Sequence, residues 1–222
     1  MIRTHSITVL ATIIVSSFAG ATENTVKEWW RQFSGPNSSG LGEGKPPVHF
    51  GPDQNLLWKT AVGAGLSSPI VWEGRIFLTE FERAKKQLAT LCIDRGTGKI
   101  LWRRTVTPEQ IEKVHAISSP AAATPATDGE RVYVYFGSYG LVCYDLDGNQ
   151  KWERRLPLPE NHYGAVASPI VAGELLVFNH QGKFWPQVCN TIRMPSWAPS
   201  RLGFAATSRK VADAAASATA GG

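Results

Sequence analysis

Asp94-Arg95-Gly96-Thr97-Gly98-Lys99-Ile100-Leu101-Trp102 is the stretch that decides the fold of this chain. An aspartate that ends a strand can accept backbone N–H bonds across the turn that follows. The Thr97-Gly98 pair supplies the turn, because glycine takes a positive φ without steric cost. The tryptophan then falls on the next strand, where its large flat ring can close the apolar gap between one sheet and its neighbour. Such burial is worth about a few kcal/mol per ring. Asp145-Leu146-Asp147-Gly148-Asn149-Gln150-Lys151-Trp152 repeats the pattern one residue shorter and without the threonine. Leu57-Trp58-Lys59 keeps only its last strand. Trp58, Asp94, Thr97, Gly98, Trp102, Asp145, Gly148 and Trp152 are therefore read as structural residues that join sheets, not as a substrate platform.

Outward from these turns the chain repeats itself. One cycle opens at Ser67-Ser68-Pro69-Ile70-Val71, passes Gly74-Arg75-Ile76-Phe77-Leu78 and Leu91-Cys92-Ile93-Asp94, and closes at Trp102. The next opens at Ala123-Thr124-Pro125-Ala126, passes Arg131-Val132-Tyr133-Val134 and Leu141-Val142-Cys143-Tyr144-Asp145, and closes at Trp152. A third opens at Ala167-Ser168-Pro169-Ile170-Val171, passes Leu175-Leu176-Val177, and then stops matching. The tryptophans lie 44 and 50 residues apart, a period that points to propeller blades of four short strands. Each run is rich in Val, Ile, Leu and Tyr and bounded by Gly, Pro or Asp, which are strand and hairpin signals. Only 107–115 offers a helix, with Thr107-Pro108-Glu109 as its cap.

The expected fold is all-β: a partial β-propeller of four-stranded antiparallel blades, about two and a half of them, over residues 55–182. Residues 22–54 form a lead-in. After Gly182 the third strand and closing turn of the third cycle do not arrive in the pattern. Residues 183–222 read as an irregular, Ala-rich tail, and a frameshifted segment is favoured over a natural tail. A propeller closes with about four to eight blades, so an open edge is expected to expose unpaired backbone and to favour self-association.

Composition narrows the classes further. The 222 residues are 43% hydrophobic and 18% charged, which suits a packed domain and argues against a coiled coil. The formal charge of +5 invites a nucleic-acid partner. Residues 22–182 nevertheless carry 17 basic and 17 acidic side chains, so the body has no basic face and nucleic acid is discounted. Arg3, the apolar run 7–15 and Ala19-Gly20-Ala21 read as a signal peptide over 1–21, with a periplasmic or secreted product and no membrane span after cleavage. Cys92 and Cys143 occupy matching positions of neighbouring cycles and read as small buried hydrophobes, not as a disulfide.

Asp94 to Trp102 resembles the tryptophan-docking repeat of the pyrroloquinoline-quinone (PQQ)-like β-propellers. Trp29-Trp30-Arg31-Gln32-Phe33-Ser34-Gly35-Pro36-Asn37 is similar to the lead-in of exported bacterial members. The resemblance covers roughly residues 26–182 and implies seven or eight blades in a full-length member. It implies one of two functions. The first is a non-catalytic, exported binding or scaffold module with a protein or carbohydrate partner. The second is a fragment of a quinone-dependent oxidoreductase with PQQ and calcium, whose catalytic blades lie elsewhere. Quinone-dependent members need a stacking tryptophan, a calcium site of carboxylate and amide ligands and a catalytic aspartate, and many add a vicinal cysteine pair. None of these can be placed here, and no catalytic, cofactor or metal-binding residue is identifiable in the pattern. One polar set remains: His115 with Asn161, His162 and Tyr163, each just ahead of the first strand of a blade, at the rim of the central channel. These are read as a candidate ligand site for a carbohydrate, a peptide or a metal, with solvated loop residues as the plain alternative. His180 is a weaker candidate.

Overall fold

The computed structural model describes residues 29–42, 44–160, 162–180 and 188–194, with side chains left out over 188–193. Three antiparallel sheets follow one another along the chain. The first holds β1 (Ile70–Trp72), β2 (Arg75–Glu82), β3 (Gln87–Asp94) and β4 (Ile100–Val106) in that order. The second holds β5 (Ala126–Thr127), β6 (Arg131–Phe136), β7 (Gly140–Asp145) and β8 (Gln150–Arg155). The third holds β9 (Ile170–Ala172), β10 (Leu175–His180) and β11 (Val188–Arg193). These are the meandering sheets of propeller blades, and they remain unclosed.

β11 corrects one expectation. A third strand does arrive after Gly182, pairing along the whole of β10 from Leu175↔Arg193 to His180↔Val188. It was illegible because the Asp that ends its counterparts β3 and β7 is missing from it. The signal-peptide reading of 1–21 and most of the tail lie outside the described residues. The helix expected over 107–115 is also corrected: the segment runs as an irregular loop. A nine-residue helix has little stability of its own, and here the Glu112 amide is taken by the Ser138 hydroxyl at 3.0 Å.

Packing between sheets explains the burial along β6. Its six residues are all buried, and they alternate between two cores. Val132, Val134 and Phe136 join a cluster with Ile70, Phe77 and Trp102 of the first sheet. Tyr133 and Tyr135 join a second cluster with Leu176 and Phe178 of the third. A strand covered on both faces needs no polar alternation. The outer strand β8, by contrast, is almost wholly exposed.

Two further contacts set the sheets side by side. The Trp102 ring of β4 lies on Gly148 of the second sheet, where an added Cβ would come within 2.7 Å of it, and its indole N–H donates to the Leu146 carbonyl at 2.9 Å. At the inner edge, the Ser68 amide donates to the Thr124 hydroxyl and the Thr124 amide to the Ser168 hydroxyl, each at 2.9 Å. These three residues precede Pro69, Pro125 and Pro169, so the same repeat position meets its neighbour in each sheet. The lead-in ties the first two sheets together from one side. The Trp30 carbonyl accepts from Val71, and the Arg31 carbonyl accepts from Thr127.

Candidate functional site

The loop ahead of β5 and the loop ahead of β9 bring three of the four predicted rim residues together. The His115 ring centroid lies 5.1 Å from that of His162 and 5.5 Å from that of Tyr163. His162 and Tyr163 meet edge-on at 5.0 Å. These separations suit tilted aromatic pairs. Asn161 lies outside the described residues. His115 Nδ1 accepts from the Ile117 amide at 3.4 Å, which leaves the proton of the neutral ring on Nε2. Tyr163 is 56% exposed, and the apolar side chains Ile117 and Val166 stand exposed on the same two loops.

What holds the loops together was not legible in the sequence. Glu112 is only 4% exposed, and its Oε2 accepts from the Ala165 amide at 2.9 Å. It thus bonds the segment leading to His115 to the residue two past Tyr163. Gly137 packs so close that an added Cβ would meet both carboxyl oxygens. Burial pushes the Glu112 carboxyl up to about 7, against the opposing pull of the Ala165 amide and the Ser138 hydroxyl. A glutamate three residues ahead of a predicted site histidine was the only signal available.

His180 closes β10, with its Nδ1 2.8 Å from the Tyr135 hydroxyl, and burial lowers its pKa. Its place is between the second and third sheets, and no contact joins it to the three-ring cluster.

Asp94 and Asp145 end β3 and β7, and Trp102 and Trp152 lie on the strands that follow. Asp94 Oδ1 accepts from the Thr97 amide and hydroxyl at 2.7 Å, and these bonds hold its carboxyl below the usual range. Asp145 accepts from the Asp147 and Asn149 amides. Burial would raise its carboxyl, but Lys151 and Asn149 hold it down to about 2. Trp58 lies on Gly98, with its indole N–H on the Arg95 carbonyl at 2.8 Å. Trp152 packs against Tyr133 of its own sheet, with ring centroids 6.1 Å apart. Cys92 and Cys143 are free and buried, and burial pushes each thiol up to about 12.

A quinone site would need a tryptophan face open to the ring and a cluster of oxygen ligands for the cation. The faces of Trp58 and Trp102 are each laid on a glycine, and Asp94 and Asp145 are spent on turns. Among the described residues, no group of three or more His, Cys, Asp or Glu could hold a metal ion. Trp58, Trp102, Asp94 and Asp145 are therefore not available to a PQQ–calcium pair. The rim offers instead two imidazoles, a phenol and apolar shoulders, a set suited to stacking and hydrogen bonding.

The family model described as outer membrane protein assembly factor BamB matches residues 51–211. The chain belongs to this PQQ-like propeller family. The BamB-type match continues past Gly182, where the repeat ceases to be readable by eye. No curated protein matches. Among solved structures, the chain is similar to a europium-containing methanol dehydrogenase, at 11% identity and a TM-score of 0.39 over 55% of this chain and 21% of that one. It is also similar to the quinohemoprotein alcohol dehydrogenase from Comamonas testosteroni, at 17% identity and a TM-score of 0.36 over 54% and 18% respectively. The chain thus spans about a fifth of the length of these structures. No helix among the described residues is long and apolar enough to cross a membrane.

Proposed function

We propose that this chain is an exported, non-catalytic binding module whose rim holds a protein partner in an extended conformation. The observation that carries this reading is the convergence of His115, His162 and Tyr163 from two successive loops, with Ile117 and Val166 exposed beside them. Aromatic and apolar surface with a few polar tips is what peptide-binding surfaces are enriched in. Membership of a family named for outer membrane protein assembly favours a protein over a carbohydrate. Export to the periplasm follows from the leader-like residues 1–21 and agrees with that family name.

Titration of the chain with synthetic β-strand peptides of outer-membrane barrels, beside a panel of oligosaccharides, tests the reading. Binding of a peptide that weakens tenfold or more in a His115→Ala/Tyr163→Ala variant supports it. Peptide binding indifferent to that variant refutes the rim as the site. Binding of oligosaccharides alone assigns the rim to sugars.

A further inference from the structure

The two loops that carry the rim rings meet along a short seam, and Glu112 closes its buried end. Glu112 meets Ala165, Val114 packs at Gly164, and His115 meets His162 and Tyr163. The outer contacts are apolar or ring on ring. The inner one is a hydrogen bond, from the Ala165 amide to Glu112 Oε2 at 2.9 Å. Two glycines make room for the carboxyl. A Cβ on Gly137 would come within 2.6 Å of both its oxygens, and one on Gly164 would lie 3.3 Å from Oε2. The Ser138 hydroxyl accepts from the Glu112 amide and fixes the residue's backbone against the second sheet.

This seat suits a neutral acid better than an anion. Glu112 is 4% exposed, and its Oε1 is buried without a hydrogen-bond partner. Among the described residues no Lys, Arg or His forms an ion pair with it. The Tyr135 phenol of β6 is close enough to feel the carboxylate charge, and His180 of β10 lies beyond it on the same hydrogen bond. Lys113 and His115 follow Glu112 on its own loop, Tyr139 follows Ser138, and the facing segment carries Glu160, His162 and Tyr163. Taking an unpaired charge out of water is costly, and burial accordingly pushes this carboxyl up to about 7.

We infer that the Glu112 carboxyl is a proton-operated latch on the rim. Protonated, it stays in its seat and keeps loops 112–117 and 162–166 together. Ionised, it leaves for water, and the three rings part while the blades stay folded.

The sign follows from the two environments. A carboxyl in water titrates near 4.5 and the seated one near about 7, so the closed rim holds the extra proton between those values and loses its advantage as pH rises. From pH 6 to pH 8 the ratio of open to closed rim should rise about tenfold. Repulsion between charged His115 and His162 acts in the opposite sense, loosening the pair toward acid pH. A ligand that spans the three rings, as proposed above, is then gripped at mildly acidic pH and released at alkaline pH. That corollary alone rests on the rim reading; the latch concerns the loops themselves.

Hydrogen exchange of the Ala165 amide between pH 6 and pH 8, corrected for its intrinsic pH dependence, tests the latch in three proteins: the wild type, Glu112→Gln, and His115→Ala/His162→Ala. The protection should fall about tenfold in the wild type and in the double variant, stay constant in Glu112→Gln, and lie below that of the β6 amides throughout. A wild-type protection that does not change with pH overturns the inference. A fall that Glu112→Gln retains, or that the double variant loses, assigns the effect to other groups and overturns it equally. So does an Ala165 amide as protected as those of β6, since the rim then opens only with the whole molecule. If Glu112→Gln does not fold, the wild type and the double variant still decide the matter.

Discussion

Substituting Glu112 by Gln removes one titration while keeping an acceptor for the Ala165 amide. The unfolded carboxyl loses its proton near its ordinary value of 4.5, and the folded one keeps it to about 7. Between those values the native state binds the extra proton, so stability falls as pH rises and levels off above about 7. At about 1.36 kcal/mol per unit, that displacement corresponds to roughly 3 kcal/mol. Groups that titrate alike in both proteins, His180 among them, cancel when the two are compared. Urea unfolding at a series of pH values from 4.5 to 8 should show the wild type losing roughly 3 kcal/mol relative to Glu112→Gln, with little difference at the acid end. A difference that does not change with pH would mean that the carboxyl is ionised throughout and that its burial is not what sets its proton affinity.

Other substitutions probe the rest of the frame. Gly148→Ala puts a Cβ against the Trp102 ring at a φ of 82° and should destabilise by about 2–4 kcal/mol, whereas Gly74→Ala, with nothing near it, should stay within about 1 kcal/mol by thermal unfolding. Glu80 is buried between the Gly63 amide at 2.7 Å and Arg103 at 2.9 Å. Arg103→Met should cost about 2 kcal/mol, less than for a wholly buried pair because Arg103 is itself half exposed, and Glu80→Gln in that background should restore part of it. In a Cys189→Ser protein, Cys92 and Cys143 should resist a thiol reagent at pH 8 until the chain unfolds, since each thiol is buried and pushed up to about 12. Rapid labelling of either in the native protein would contradict the burial.

The blades were legible because their determinants are local and periodic. Asp94, Gly98 and Trp102 fall within nine residues, and each has a turn, a left-handed backbone or a docking ring to account for it. β11 was not legible: a strand without the closing aspartate is defined only by its pairing with β10. The loops were read in part. His115, His162 and Tyr163 stood out as polar residues ahead of first strands, and the fold brings them together. Glu112 did not stand out, because its role lies in a bond to a backbone amide 53 residues away, which no spacing rule encodes. The helix expected from Thr107-Pro108-Glu109 failed for the same reason, since tertiary bonds to Glu112 outweigh a short run's propensity.

β6 also fixes the order in which this protein comes apart. Its valines and phenylalanine are locked into one core and its tyrosines into the other. Amides of β6 can reach solvent only when the middle blade separates from both neighbours, so their hydrogen exchange should report global opening. Among the described residues β9 to β11 pack on the second sheet alone, and their amides should exchange through a smaller, cheaper opening. The middle blade is then the most slowly exchanging unit, and mass-resolved exchange would read the molecule from its centre outward.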